Sequence, residues 1–308
     1  MPSTCEATVF YDDAGEASAR IYALAAPTVD GRLLTVDELA ECRLECRVEG
    51  PKCRYSTTLP TRVKLMHRGV TNWGDLPAIM AEAYLPDPCP WSPELPFLYR
   101  VIGEVRYGER AIAEIDQTFG IRPINVVRNR IVLNRKTWVP RAVNRKAIIG
   151  ETEIEHWREL ATVMAVEEPS DDLLTMASET GTVVFAVIRS PNFSLNPILR
   201  NLSHFPAVAL IQLNGRVDAD SLSTTRNTLF MTDYSISSDA NCRQVALHRV
   251  SGLEAFTNWP HSTHLPVIGF RTHTMRFPLA DARSACDILQ GELAGKCDAA
   301  GFYIGTDQ

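Results

Sequence analysis

Eight short apolar segments, separated by helical or loop segments, follow one another between residue 137 and residue 306. They are rich in Val, Ile, Leu and Phe, as is typical of parallel strands buried on both faces. The predicted strands are 137–143, 162–167, 182–188, 207–213, 228–234, 243–250, 265–271 and 300–306, and the main predicted helices are 152–161, 170–181 and 280–294. Eight strands with intervening helices predict a (β/α)8 TIM barrel. At about 175 residues the region is shorter than most such barrels, which start at roughly 200 residues, so we expect a shortened one. An open parallel sheet is the alternative, although its Gly-rich phosphate turn is missing.

The first part of the chain alternates apolar and polar residues, as half-buried antiparallel strands do. In the segment 42–48, Cys42, Leu44, Cys46 and Val48 alternate with charged residues. A hairpin turn is predicted at 107–109, and the proline-rich segment 85–96 predicts a loop or a sheet edge, because proline cannot donate to a strand ladder. We therefore expect a multidomain β plus α/β fold, with an immunoglobulin-like β-sandwich at residues 1–118 and the barrel at 119–308.

Composition excludes several classes of protein. The 308 residues are 45% hydrophobic and 22% charged, with a formal net charge of −6. A chain of this size buries a core without disulfides, and an acidic chain is a poor nucleic-acid binder, although a local basic patch is compatible with it. The first residues lack the basic start and apolar core of a secretory signal, and the uninterrupted apolar runs are far shorter than the ~20 residues of a membrane helix. We expect a cytoplasmic protein that binds neither nucleic acid nor membranes.

The cysteines and histidines do not match a metal site. None of the eight cysteines lies in a CxxC or His-paired spacing, which favours free, mostly buried thiols. His261 and His264 flank the seventh predicted strand, together with His273, without an acidic residue close by in sequence. We interpret them as structural or surface histidines, and we predict neither a metal nor a cofactor.

Three motifs lie in order across the boundary between the two regions. They are WSPELPFLY at 91–99, FGIR at 119–122 and LNRKTWVPRAVN at 133–144. Their order and spacing resemble glycoside hydrolase family 2, the family of β-galactosidases and β-glucuronidases. In that family, the first motif closes an immunoglobulin-like sandwich and the other two lead into the barrel. The resemblance covers about residues 30–308, and the usual amino-terminal jelly-roll domain looks absent or vestigial.

The resemblance implies where catalysis should occur. The family uses an acid/base Glu after strand 4 and a nucleophilic Glu that ends strand 7, about 5–5.5 Å apart in a retaining mechanism. In this chain the segment 200–215 matches the approach to the acid/base, and the position itself is Gly215 after Asn214. The pattern of strand 7 begins at Pro266 and puts Arg271 at the nucleophile position, where a guanidinium cannot act as a carboxylate. The resemblance therefore implies a family member that lacks both catalytic carboxylates.

Other residues at predicted strand ends are candidates for chemistry or binding. Relocated carboxylates are conceivable at Glu167, Asp233 and Asp307, each of which could equally be a solvated or helix-capping residue. Five residues are candidates for ligand contact at the barrel mouth: Arg141, Asn144, Asn214, Arg271 and Trp259. For the first four, the alternative is structural support of loops. For Trp259, as for Trp73, it is packing inside the core or between domains.

Three functional hypotheses follow. The first is a catalytically degenerate protein that binds a carbohydrate, another small polar or anionic ligand, or a protein at the old active-site mouth. The second is a working O-glycosyl hydrolase with relocated carboxylates. The third is a structural or assembly module, in which the mouth is filled and an apolar patch is exposed. A homo-oligomer or a complex with a protein partner is compatible with each of the three.

Overall fold

In the computed structural model, two antiparallel sheets are followed by a closed barrel of eight parallel strands, which confirms the expected multidomain β plus α/β fold. The structure describes residues 4–74, 76–144, 150–189, 195–213, 227–232, 244–250, 259–260, 265–273 and 279–306. None of the helices in these ranges combines the length and the apolar character needed to cross a membrane.

The two antiparallel sheets occupy residues 4–119. The first contains β1 (Thr4–Asp12), β2 (Ser18–Val29), β3 (Arg32–Leu33), β6 (Met66–Trp73) and β7 (Leu76–Pro86). The second contains β4 (Cys42–Lys52), β5 (Thr61–Lys64), β8 (Leu98–Tyr107) and β9 (Arg110–Phe119), and the short helix α1 (Val36–Ala40) precedes β4. The first sheet has the order β1-β2-β7-β6, with β3 beside β2, and the second has the order β5-β4-β8-β9. Their facing sides enclose one apolar core.

Strand β4 shows why the sequence alternation predicts a half-buried strand. Cys42, Leu44, Cys46 and Val48 are buried in the sandwich core, and the charged residues between them are exposed. Burial raises the pKa of the Cys46 thiol to about 12, so this thiol stays protonated and unreactive at neutral pH. The described cysteines are all free: Cys5, Cys42, Cys46, Cys53, Cys89, Cys286 and Cys297.

A small three-stranded sheet leads into the barrel. It consists of β10 (Ile124–Val127), β11 (Arg130–Leu133) and β12 (Lys136–Thr137). The barrel strands are β13 (Arg141–Asn144), β14 (Val163–Glu167), β15 (Val184–Ile188), β16 (Val208–Leu213), β17 (Leu229–Thr232), β18 (Gln244–Arg249), β19 (Val267–His273) and β20 (Gly301–Thr306). The described helices around them are α2 (Glu151–Glu159), α3 (Asp171–Thr180), α4 (Leu195–His204) and α5 (Leu279–Leu293). All neighbouring barrel strands pair in parallel, and β20 closes the barrel against β13.

Most of the predicted strands begin one or two residues before the observed ones, and the differences in the first and seventh strands bear on the site. The strand predicted at 137–143 is wrong in its first half, because the barrel strand starts only at Arg141 and Lys136–Thr137 pairs antiparallel with β11. Pro140, which lacks an N–H, separates the two pieces. The seventh strand continues two residues past its predicted end, to His273.

Two buried side chains connect the sandwich to the barrel. The indole of Trp91 is fully buried, and its Nε1 donates a hydrogen bond to the Ser178 carbonyl at 2.9 Å. Although it precedes β8, Trp91 packs within the apolar cluster of the barrel. The buried Arg122 guanidinium donates to the carbonyls of Pro206 and Asn227, the latter at 2.7 Å. Two of the motifs that carry the family resemblance therefore contribute buried contacts between the two parts.

A small cavity of about 140 Å³ lies between the sandwich and the barrel, and its walls include Trp73, Phe119 and His204. The Nε2 atom of His204 is buried there without a hydrogen-bond partner among the described residues. Burial lowers the pKa of His204 to about 4, although the charge of Asp171 acts in the opposite direction. The imidazole is therefore neutral at pH 7.

We expect this histidine to make the protein sensitive to acid. The unfolded chain binds a proton at His204 near pH 6.5, whereas the folded chain binds it only near pH 4, so falling pH favours unfolding across that interval. The contribution reaches about 2–3 kcal/mol at pH 4.5 by linkage. Urea unfolding at pH 7.5 and pH 4.5 should show a smaller loss of stability in His204→Gln than in the wild type. Equal losses in the two proteins would contradict the assignment.

Candidate ligand site at the barrel mouth

The carboxyl-terminal ends of the eight strands form the barrel mouth. Side chains alternate between the barrel interior and the outer helices, and directly paired residues of neighbouring strands face the same side. Phe270 of β19 and Tyr303 of β20 are such a pair, and their rings meet with centroids 4.8 Å apart. Arg249 pairs with Phe270 from the other side, and its guanidinium lies 5.7 Å from the centroid of the Phe270 ring. These aromatic rings form the floor of the mouth.

Three polar side chains lie around Tyr303. Asn144, the last residue of β13, hydrogen bonds with the Tyr303 hydroxyl. Glu167, the last residue of β14, forms an ion pair with Arg189, which follows β15. Both charges also act electrostatically on the Tyr303 hydroxyl. We call Asn144, Glu167, Arg189 and Tyr303 the mouth cluster.

The protonation of Tyr303 defines what the mouth cluster can do. Burial raises the pKa of Tyr303, although the hydrogen bond with Asn144 acts in the opposite direction. The phenol therefore stays protonated at neutral pH and can donate or accept a hydrogen bond, but it does not serve as an anionic base. The side chains of Glu167 and Arg189 are 27% and 39% exposed, so a ligand in the mouth could reach them.

The described part of the mouth offers only one acid to the barrel interior. Among the described strand residues that face inward, Glu167 alone is acidic, and it is already paired with a guanidinium. A retaining glycosidase needs a second carboxylate about 5–5.5 Å away, and an inverting one needs a partner at roughly 6.5–9.5 Å. Within the described residues the mouth is thus equipped for hydrogen bonding, charge pairing and stacking rather than for paired acid and nucleophile chemistry.

Two residues predicted to face the mouth point elsewhere, which corrects their expected placement. Arg271 binds Glu292 of helix α5 through its two terminal nitrogens, at 3.2 and 2.5 Å. An added Cβ at Gly269, two residues earlier, would lie 3.0 Å from Leu293 of the same helix, which shows that this side of β19 faces outward. Arg141 begins β13 at the opposite end of the barrel. Its Nε donates to Asp287 of α5 at 2.7 Å, so both arginines hold the outer helix layer.

The two tryptophans considered for sugar stacking are buried. Trp259 is 5% exposed and packs against His248 with ring centroids 5.1 Å apart. Its indole also lies near Gly269 on the outer side of β19, so it is a packing residue of the outer layer rather than a platform at the mouth. Trp73 is 7% exposed and packs under the Arg200 guanidinium beside the sandwich.

The remaining predicted site residues have separate outcomes. Asn144 and Glu167 both lie at the mouth, in one cluster. Asn214, Gly215, Asp233 and Asp307 lie outside the described residues, as do His261 and His264. In the ranges that the structure describes, no group of three His, Cys, Asp or Glu side chains is arranged to hold a metal ion.

The sequence analysis missed Arg189, Phe270 and Tyr303. The segment GFYIG of β20 contained a usable signal, because Tyr303 is flanked at two residues on either side by glycine on the same strand face. A single large polar ring between two glycines on an inward face indicates a side chain that fills the barrel near its mouth.

Comparison with known proteins agrees with this architecture. Residues 38–122 match the family model described as Glycosyl hydrolases family 2. No curated protein matches the chain in sequence. Among solved structures, a calcium-binding mutant of Bacteroides uniformis β-glucuronidase 2 has a TM-score of 0.64 at 14% identity, over 99% of this chain and 47% of that one. A putative β-galactosidase from Bacteroides fragilis has a TM-score of 0.63 at 13% identity, over 98% of this chain and 56% of that one.

A third similar structure carries a ligand. It is a Bifidobacterium dentium β-glucuronidase complexed with coumarin-3-O-glucuronide, with a TM-score of 0.62 at 12% identity over 98% of this chain. This chain spans 60% of that protein, and about half of the other two. At these identities the structural likeness concerns the fold, and the family model concerns the sandwich segment.

Proposed function

We propose that this chain, which is similar to family 2 glycosyl hydrolases as its motifs predict, binds a carbohydrate at the barrel mouth without hydrolysing it. The observation that carries the proposal is the mouth cluster. Its single carboxylate, Glu167, is neutralised by Arg189 rather than placed opposite a second acid. The proposal rests on this geometry together with the sequence at the two family positions.

The sequence near those two positions also argues against hydrolysis. The acid/base position is Gly215, and residues 212–217 contain no Asp or Glu. The motif match makes Arg271 the nucleophile position, but Arg271 faces the outer helices, so the match does not hold residue by residue. The whole segment 266–276 contains no Asp or Glu, whichever of its residues faces the mouth. Neither segment therefore supplies a carboxylate, so neither half of the retaining mechanism is available from the strand ends where the family carries it.

Binding is supported by the kinds of side chain that surround the mouth. Sugars offer hydroxyl groups to hydrogen-bonding side chains and apolar ring faces to aromatic ones. Asn144 and Tyr303 supply the first, and Phe270 supplies the second on the floor. Arg249 adds a positive charge beyond the neutral Glu167–Arg189 pair, which favours a sugar that carries a carboxylate.

A hydrolase with a relocated acid is the second candidate, and the position of Glu167 favours it. This residue ends a barrel strand on the face where barrel enzymes carry their chemistry. Freed from Arg189 by a substrate, its carboxylate could act as one of the two required groups. The second group would then come from outside the described residues.

Hydrolysis assays separate the two candidates. We expect purified protein to show no turnover of aryl β-galactosides, β-glucuronides or β-mannosides above the uncatalysed rate, because positioned acid–base catalysis alone contributes about 10²–10⁴-fold. If turnover occurs, Glu167→Gln should be compared with Glu114→Gln, an exposed carboxylate on the sandwich. Activity lost only in Glu167→Gln would establish the hydrolase and refute the binding-only proposal.

Ligand-observed NMR tests the binding itself. We expect glucuronate or galactose to bind the wild type, and Asn144→Ala and Arg189→Gln to weaken that binding by about tenfold, or ~1.4 kcal/mol. Glu114→Gln should leave it unchanged. Absence of both turnover and sugar binding would overturn the proposal and favour the structural or assembly role.

A further inference from the structure

A second, larger cavity lies at the end of the barrel opposite the mouth. It has a volume of about 790 Å³ and is enclosed by the segments 90–97 and 133–139 and by the beginnings of the first three barrel strands. Arg141 and Val163, which begin β13 and β14, are both in its wall. We call it the basal cavity. Its size is within the roughly 300–1,000 Å³ of small-molecule sites.

The wall of the basal cavity is strongly basic. Arg141, Arg158, Arg283 and Lys136 line it, and Glu94 is the one carboxylate among the lining residues that the structure describes. Asp287, just behind the wall, binds both Arg141 and Arg283. Although partial burial opposes the effect, these hydrogen bonds lower the pKa of Asp287, which therefore stays charged. Two positive charges still remain unbalanced there, in a chain whose net charge is −6.

The guanidinium groups are held in place by the protein. The Nε of Arg158 donates to the Pro93 carbonyl at 2.7 Å, and its guanidinium carbon lies 3.9 Å from the centroid of the Tyr55 ring. The Nη1 of Arg283 donates to the Leu160 carbonyl, which follows helix α2, at 2.6 Å. Arg158 Nη1 and Arg283 Nη2 hydrogen bond with none of the described residues. The cavity therefore presents fixed cationic donors that are available to an acceptor.

An aromatic wall completes the cavity. The indole of Trp138 lines it, half-buried, and meets the fully buried Phe185 ring edge-on at a centroid distance of 6.5 Å. Fixed guanidinium groups pair with carboxylates and phosphates, and an indole packs against a ring-sized body. Neither feature belongs to the mouth cluster, so this site is independent of the proposed function.

We propose that the basal cavity binds a small organic anion, with a carboxylate or phosphate on Arg158 and Arg283 and a ring-sized body against Trp138. Because barrel enzymes place chemistry at the other end, the bound anion has an effector or stabilising role rather than that of a substrate. Such a ligand would connect α2, α5 and the junction segment 90–97 through one set of hydrogen bonds. It would therefore stabilise the contact between the sandwich and the barrel.

Calorimetric titration with three matched probes tests the proposal. Glucose 6-phosphate and glucuronate carry the two anionic groups, and glucose is the neutral control. We expect at least one anionic probe to bind the wild type, more weakly as NaCl is raised, and glucose to show no binding to this site. Arg283→Gln and Lys136→Glu should weaken the binding by at least about tenfold. Arg100→Gln, at an exposed ion pair on the sandwich, should leave it unchanged.

Three outcomes would overturn the proposal: no binding of either anion at low salt, anion binding unchanged in the basal variants, or anion binding lost only in Arg189→Gln at the mouth. If anion binding is lost in Arg283→Gln and Lys136→Glu but kept in Arg189→Gln, the anion binds in the basal cavity. That result holds even if the mouth binds no sugar. Lys136 is exposed, so Lys136→Glu decides the result if Arg283→Gln does not fold.

Discussion

Replacing Trp91 with alanine should lower the free energy of unfolding by about 3–5 kcal/mol, the cost of removing a fully buried aromatic side chain. The indole has no solvent exposure, and its Nε1 donates to the Ser178 carbonyl at 2.9 Å. Its backbone N–H also binds the Ile121 carbonyl at 2.7 Å, which fixes the segment at the junction. The substitution leaves a cavity between the sandwich and the barrel that neither can fill without moving the other.

Urea unfolding followed by circular dichroism measures this effect. Trp91→Phe is the matched control, because it keeps an aromatic ring and loses only the outer ring and the N–H donor, so we expect it to cost about half as much. A loss below about 1 kcal/mol in Trp91→Ala would show that the junction repacks and that the indole is not needed to hold it.

Gly181→Ala should lower the free energy of unfolding by about 2–4 kcal/mol. Gly181 ends helix α3 in the left-handed conformation, with φ +82°, where a side chain costs about 1 kcal/mol. An added Cβ would also lie 2.4 Å from the Pro93 carbonyl oxygen, which belongs to the same junction segment as Trp91. The backbone would have to move to relieve that contact.

Gly295→Ala is the control for Gly181→Ala. Gly295 has a similar φ of +72°, but an added Cβ would meet nothing within 4 Å. We therefore expect a loss of only about 1 kcal/mol at this position. Equal losses at the two glycines would mean that backbone conformation alone matters and that the junction segment yields to the extra methyl group.

Local patterns predict much of the fold. Alternation identifies β4, and the Ser170 and Gly181 signals identify both ends of α3, where Ser170 Oγ accepts a hydrogen bond from the Leu173 N–H. The eight apolar segments predict the eight strands of the barrel. These features depend on neighbours along the chain, which is why periodicity and capping residues detect them.

Local patterns do not determine on which face of the barrel a side chain at a strand end lies. The family pattern that begins at Pro266 predicts Arg271 at the mouth, as the nucleophile position at the end of the strand, whereas β19 continues to His273. The inward face of β19 carries Phe270, which meets Tyr303, and Arg271 therefore meets Glu292 outside. A shift of one residue exchanges the two faces of a strand, so a motif match without a partner strand does not determine the face.

For a similar reason, the sequence predicts only two of the four residues of the mouth cluster. Asn144 and Glu167 end strands and were identified as candidates by that position. Arg189 joins them because β15 pairs with β14, and Tyr303 joins them because β20 closes the barrel against β13. That closure joins residues more than a hundred positions apart, and no local pattern reports it.

The hydrogen bonds of Arg122 have a consequence for the order in which the protein is made. Its carbonyl partners, Pro206 and Asn227, lie 84 and 105 residues further along the chain. A ribosome therefore releases the whole sandwich well before either acceptor exists, and a buried cation without acceptors is costly. In the nascent sandwich the Arg122 guanidinium must therefore stay in water. It can be buried only after the fourth and fifth barrel strands have been made. Because synthesis starts at the amino terminus, the sandwich is made first, and the burial of Arg122 at its junction is completed only when the barrel folds against it.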